Sequence, residues 1–273
     1  MKPSSMGVIV LISLVILLVM STHLAYAADI GAPITKADVN GVVRTELIYE
    51  KYDRKVELSS VNVTETSTIG GTTTYTVEGE TGKQEEKRII LRLLVPVGEN
   101  MIIFGDIGKT DSKDSAEARP FGGLGLKYLG YNKDNTRIGF FIQGHYVSEI
   151  EYNWQDVDPI YGPGTWTQQE SYYEISTGLN VAKTFLLDNK TQLVPYAGAM
   201  ISILNGEEEF NVCYGCNTFG PALKITGSGE LKDDGIFSVF AGADLKFRSN
   251  FGFHMEGRFI NQSSLSASLF MSF

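Results

Sequence analysis

The sequence predicts an all-β protein: a single antiparallel up-and-down transmembrane β-barrel of about ten strands. Three observations predict it. Segment after segment alternates apolar and polar residues with period two, the connections between them alternate short and long, and no stretch beyond residue 27 has the apolar length of a membrane helix. A strand shows successive side chains to opposite faces, so a period-two pattern means a sheet with one greasy face and one polar face.

The chain begins with Lys2 ahead of the apolar run 7–20, and "AYA" at 25–27 presents small residues at the two positions a signal peptidase reads. The run is short for a span of the hydrocarbon core, so residues 1–27 are expected to be a cleaved signal peptide and 28–273 the barrel domain. The residue directly after the cleavage point is Ala28 and not Cys, which argues against a lipid anchor. Removing 1–27 leaves 22 Lys and Arg against 32 Asp and Glu. That acidic balance disfavours nucleic acid as a partner, because phosphate contacts need a basic face.

The strands follow in order at 42–51, 88–95, 101–109, 121–129, 137–152, 171–184, 192–204, 236–247, 251–259 and 264–273. In 88–95, Ile89, Leu91, Leu93 and Val95 alternate with Arg88, Ile90, Arg92 and Leu94. In 236–247, Phe237, Val239, Ala241, Ala243, Leu245 and Phe247 alternate with a face that includes Asp244 and Lys246. In 264–273, Leu265, Ala267, Leu269, Met271 and Phe273 oppose Ser264, Ser266, Ser268, Phe270 and Ser272.

Short turns are expected at 97–100, 131–136, 186–190 and 248–250, and long polar extracellular loops at about 52–86, 110–119, 153–169 and 205–235. An even strand count returns both termini to the short-turn end, which is the layout of an outer-membrane barrel. Twelve strands would follow if the first long loop crossed the membrane, and eight if two strands lay outside it. "TTTYTVEG" in that loop has the pattern of a hairpin extending the wall.

A soluble barrel would also alternate, with its apolar face inward. Here the polar parity gathers the charges together with several Gly, as expected where side chains share a narrow lumen, and the other parity carries scarcely any charge. The terminal strand, with Met271 and Phe273 two apart at its end, resembles the C-terminal assembly signal of outer-membrane barrels, although Ser268 stands where that pattern usually has Gly. "VPYAGA" at 194–199 resembles a strand opening of the OmpA-like, OmpX-like and opacity-type small barrels of Gram-negative bacteria. The resemblance implies fold and a cell outer-membrane location, with outer-membrane lipid and the barrel assembly machinery as partners. It implies no activity.

Three constellations bear on function. Arg44, Arg88, Arg92, Lys127, Lys246 and Arg258 share the inner face with Glu46, Asp106, Glu174, Asp244 and Glu256. A nearly balanced set in a narrow lumen is expected to pair and plug it, because unpaired buried charge is costly; a narrow charge-lined pore or small-solute transporter is the alternative. His145 and His254 raise the question of an outer-membrane hydrolase such as an omptin protease. Such enzymes work at the extracellular rim, whereas His254 lies near a short turn and His145 lies mid-strand, with no Ser or Asp cluster to complete a nucleophile and base. No enzyme and no cofactor are therefore expected.

Third, Cys213 and Cys216 lie in an exported loop and are expected to form a small disulfide rather than a redox or zinc motif. Glu207, Glu208 and Glu209 with Asp233 and Asp234 could take a hard cation, but solvated loop charge is the default and no metal site is assigned. The functional expectation is a structural or surface-interaction, adhesin-like barrel whose loops meet an extracellular ligand or host surface.

Overall fold

The computed structural model describes residues 30–34, 43–112, 115, 117–187, 191–216, 220–247 and 250–273. The expected signal peptide lies outside them. The strands are β1 (Arg44–Leu58), β2 (Val61–Ser67), β3 (Gly71–Val77), β4 (Thr81–Pro96), β5 (Met101–Ser112), β6 (Arg119–Lys133), β7 (Thr136–Asp158), β8 (Gly162–Lys183), β9 (Phe185–Leu186), β10 (Thr191–Tyr214), β11 (Leu223–Asp233), β12 (Phe237–Phe247), β13 (Phe251–Ile260) and β14 (Gln262–Ser272).

Ten of these close a ring, β1, β4, β5, β6, β7, β8, β10, β12, β13 and β14, through the β10–β12 pairing on one side and the β14–β1 pairing on the other. All pairings are antiparallel. The ring has the expected up-and-down order and strand number. Closure leaves the final strand no free edge: Arg44 pairs with Ser272, and the Phe273 amide donates to the Val43 carbonyl at 2.8 Å.

The β6–β7 turn has the chemistry that a tight hairpin requires. Asp134 and Asn135 connect β6 to β7 with φ of 53° and 62°, the pair of positive dihedrals that matches the right-handed twist of the flanking strands.

Three of the segments expected as long loops are corrected by the structure. Within 52–86, β1 runs to Leu58, β2 and β3 form a hairpin, and β4 begins at Thr81; within 153–169, β7 and β8 continue almost to the turn at 159–161; within 205–235, β10 runs to Tyr214 and β11 fills 223–233. Within 110–119, β5 ends at Ser112 and β6 begins at Arg119, and part of what lies between is outside the described residues. The reason is that Thr-rich and Glu-rich stretches, polar on both faces, still pair where both faces meet water or a polar interior, so their loss of hydrophobic alternation marks the end of the apolar belt rather than the end of the strand.

At this end β11 pairs with β10 (Asn205 with Lys232) and with β1 (Val56 with Asp233), so one strand takes the place of β12, β13 and β14. The β2–β3 hairpin then adds to the outer edge of β11.

The outer face of the ring is apolar. Leu47, Tyr49, Ile89, Leu91, Leu93, Ile103, Ile107, Ile142, Leu179, Ile203, Leu269 and Met271 are all exposed. Towards the long-hairpin end the apolar runs stop at Tyr49, Tyr146 and Tyr173, and beyond them outward positions become Lys51, Lys87, Lys109 and Glu151. Exposed Phe251, Phe273, Tyr128 and Tyr131 stand at the short-turn end.

Inside, glycines make room for rings. A Cβ on Gly125 would lie 2.2 Å from the Phe104 ring, one on Gly198 2.3 Å from Phe240, and one on Gly252 2.1 Å from Phe270. Each of these three rings therefore lies over a cross-strand glycine, so a methyl group has nowhere to go. Gly125→Ala is expected to destabilise the barrel by about 1–3 kcal/mol, the usual cost of overpacking, read as a lower urea midpoint for loss of the compact gel band.

Candidate functional site: the lumen and its mouth

The interior is built in layers, each held by neighbours two residues apart on a strand or opposite each other across two. At the short-turn end, Arg44 lies 2.6 Å from Glu46 and over the Phe270 ring at 3.5 Å. His254 Nδ1 lies 2.7 Å from Asp244, and its Nε2 is 3.0 Å from the Tyr196 hydroxyl. Glu256 accepts from Tyr196 (2.8 Å) and from Arg258 Nε (3.3 Å). Lys127 and Lys246 are buried on the same inner face.

Residues 30–34 enter this layer from outside the sheet. The amides of Ile30 and Gly31 donate to the Glu256 carboxylate at 3.1 and 3.0 Å, and Asn180 donates to the Gly31 carbonyl at 2.9 Å. Ile30 and Ala32 pack with Phe141, Val194, Tyr196, Met200 and Phe240, and Ile34 packs with Leu94, Ile102 and Phe104. A segment with no strand partner is held here by the Glu256 carboxylate, the Asn180 amide, the Arg137 guanidinium, which donates to the Pro33 carbonyl at 3.4 Å, and buried apolar side chains.

Above it, Arg92 and Asp106, direct partners across β4 and β5, form a two-point pair with both contacts at 2.7 Å, and His145 Nε2 adds a third contact to Asp106 at 2.9 Å. Phe104 lies under the Arg92 guanidinium at 4.3 Å, and Phe121 stacks on His145. Both histidines thus serve carboxylates within the wall of the lumen, His145 on Asp106 and His254 on Asp244.

The next layer is denser. Arg88 meets Glu86 at 3.0 Å and Glu50 at 3.5 Å, donates to the Tyr172 hydroxyl at 2.9 Å, and lies over the Tyr52 ring at 4.4 Å; Tyr172 in turn donates to Glu86. Arg54 contacts Glu174 at 3.4 Å and also Asp233, while Ser202 donates to Glu174 at 2.7 Å. All these side chains are buried.

The eleven charges expected at the lumen lie on the inner face; direct pairs within the set are Arg44 with Glu46, Arg92 with Asp106, and Arg258 with Glu256, while Arg88 and Glu174 meet partners outside it. Glu50, Tyr52, Arg54, Glu86, Tyr172 and Asp233 belong to the same network but were not in the expected set. Four of them lie in segments read as loops. Continuing the Glu46 and Arg88 parity along β1 and β4 would have found four of the six, Glu50, Tyr52, Arg54 and Glu86.

The long-hairpin end opens as a vestibule of about 460 Å³. Val56, Leu58 and Leu231 give it an apolar patch, Gln84 and Ser112 polar lining, and Tyr152 and Trp154 an aromatic stretch of wall next to Glu170 and Glu208. Tyr152 and Trp154 reach it because the β7–β8 register shifts between Val147 and Ile150, which turns the even-numbered residues of β7 inward.

Ser112 and Tyr152 hydroxyls are 2.7 Å apart, and Gln168 donates to Glu170 at 3.0 Å. Burial first, then the charges of Glu208 and Glu86, push the Glu170 carboxyl up to about 7, and burial also raises Glu208. Trp154 stacks on Trp166, whose indole donates to the Tyr214 hydroxyl at 2.9 Å. Nearby, Cys213 and Cys216 are joined as a disulfide. Glu207 and Glu209 point away from Glu208, and among the described residues no three of His, Cys, Asp and Glu converge as metal ligands.

No protein-family model matches the chain, and no curated protein matches it. Among solved structures it is similar to the translocator domain of autotransporter NalP from Neisseria meningitidis, at 9% identity over 84% of this chain and 87% of that chain with a TM-score of 0.36. It is likewise similar to the beta domain of the Bordetella autotransporter BrkA, at 12% identity over 85% and 100% with a TM-score of 0.35, and to the P. putida toluene transporter TodX, at 9% identity over 92% and 96% with a TM-score of 0.28. At such scores the likeness says nothing about activity, and the ten-strand ring rests on its own pairings.

Proposed function

We propose that this protein is an outer-membrane β-barrel with a closed lumen, serving a structural or surface-interaction role through the strand-built extension at its long-hairpin end. The location is supported by the outward apolar belt, bounded by Tyr49, Tyr146 and Tyr173 at one edge and by Phe251 and Phe273 at the other, and by the segregation of buried charge to the inside. An exposed face this continuous needs hydrocarbon against it. The short-turn end then faces the periplasm and the vestibule faces the exterior. The terminal strand and "VPYAGA" support a place among the small OmpA-like, OmpX-like and opacity-type barrels.

Closure is the observation that carries the role. Two layers of fully buried arginine, carboxylate and tyrosine lie across the lumen, and residues 30–34 fill its periplasmic end. Ion pairs this dry hold a wall together; a conducting path would need water along them. Purified protein in planar bilayers under molar KCl is expected to show no discrete conductance steps. Stable steps whose size changes with lumenal charge substitutions would instead establish the pore.

A further inference from the structure

We infer that the vestibule binds an organic cation: an ammonium group carried on an apolar or aromatic body. The inference rests on the proposed function only for the side of the membrane on which the vestibule opens.

Three independent features of the cavity select this class. The first is charge. Glu170 and Glu208 face the space together, and the one base among the lining residues, Lys83, is engaged by Asp53 at 2.8 Å and Glu85 at 3.1 Å. An anion would meet uncompensated carboxylates, whereas a cation would relieve the repulsion between them.

The second is an amide awaiting a partner. Gln84 is only 6% exposed, lines the vestibule, and neither its Oε1 nor its Nε2 has a hydrogen-bond partner among the described residues. Burying a carboxamide in this way costs free energy that a ligand donor recovers.

The third is the wall. Tyr152 and Trp154 line the cavity from β7, on the same stretch of wall as Glu170 and Glu208, and Val56 and Leu231 supply the apolar surface against which Tyr152 packs. Ring faces attract ammonium groups, and the apolar patch has no use for a bare hydrated ion. The absence of three converging ligands among the described residues also disfavours a divalent metal.

The ligand would place its ammonium between Glu170 and Glu208, donate to Gln84 Oε1, and lay its body against Tyr152, Val56 and Leu231. Binding then depends on pH. Glu170 is faced by Glu208 from β10, Tyr152 from β7, Glu86 and the Lys83–Glu85 pair from β4, and Gln168 from its own strand. Protonation of its carboxyl below about 7 removes its share of the attraction, so affinity should rise as pH increases through neutrality.

The only two tryptophans of the chain, Trp154 and Trp166, are stacked at this site, so intrinsic fluorescence reads it directly. Purified folded protein in detergent micelles is titrated with 2-phenylethylamine, with neutral 2-phenylethanol and with calcium chloride, at pH 6 and pH 8. The amine is expected to give a saturable change at pH 8, several-fold weaker at pH 6. Binding should weaken roughly tenfold in Glu170→Gln, equivalent to about 1.4 kcal/mol, and also in Gln84→Leu, with both variants retaining heat-modifiable gel migration. The alcohol should give no saturable change.

Equal responses to amine and alcohol would show apolar partition alone. Calcium displacing the amine at equal concentration would show an inorganic cation site. Unchanged affinity in both variants would place the amine elsewhere. Each of these results overturns the inference. The experiment uses no bilayer, so its failure is separate from any failure of the closed-lumen reading, which conductance decides.

Discussion

Asp106→Ala is expected to lower the stability of the folded barrel by about 3–5 kcal/mol, the cost of breaking a buried ion pair by removing one partner. Asp106 receives both donor groups of Arg92 and a contact from His145, all within 2.9 Å, and no part of this cluster reaches solvent to a useful degree. Alanine leaves the Arg92 guanidinium in a dry layer without its two-point carboxylate. Asp106→Asn keeps an acceptor of the same shape and should lose less. The double variant Arg92→Leu with Asp106→Leu should also lose less than Asp106→Ala alone, since removing both charges removes the desolvation cost with the attraction. The urea midpoint for loss of the compact gel band gives all three values relative to the unchanged protein. If Asp106→Ala costs less than about 1 kcal/mol, as an exposed pair would, the layer is wet and the lumen is not closed.

Much of this arrangement was legible in the sequence because a strand keeps its parity. From Ile89 to Val95 and from Leu265 to Phe273 the alternation sorts side chains without error, and the inner set it yields contains the Arg92–Asp106 and Arg258–Glu256 pairs. Legibility failed for three physical reasons. Where the wall leaves the apolar belt both faces become polar, so the extensions of β1, β4, β10 and β11 read as loops and their inward side chains Tyr52, Arg54, Glu86 and Asp233 were missed. The bulge at 147–150 reverses parity, and no composition signal announces that Tyr152 and Trp154 turn inward after it. The five residues 30–34 carry no period at all. Their place in the lumen depends on a Glu256 carboxylate 222 or more positions away, a contact only the folded chain can show.

Leu91→Arg separates a membrane barrel from a soluble one with the same strand pairing. Leu91 is exposed on the outer face, flanked by Leu47 on β1 and Ile107 on β5, which are exposed as well. In water such a substitution touches nothing and should stay within about 0.5 kcal/mol of neutral. In a bilayer the guanidinium must leave water, and the nearest outward charge on the same strand, Lys87, is four residues away, roughly 13 Å at the rise of an extended chain. An arginine side chain cannot comfortably carry its head that far, so the cost should be about 2–4 kcal/mol, as for arginine near the midplane of other strand-built walls. Lys87→Arg, at the edge of the belt, should be close to neutral and controls for the chemistry of the side chain. Urea titrations of protein refolded into liposomes provide the comparison. A neutral Leu91→Arg in lipid would mean that the apolar belt does not meet hydrocarbon, and the placement of this barrel in a membrane would fall with it.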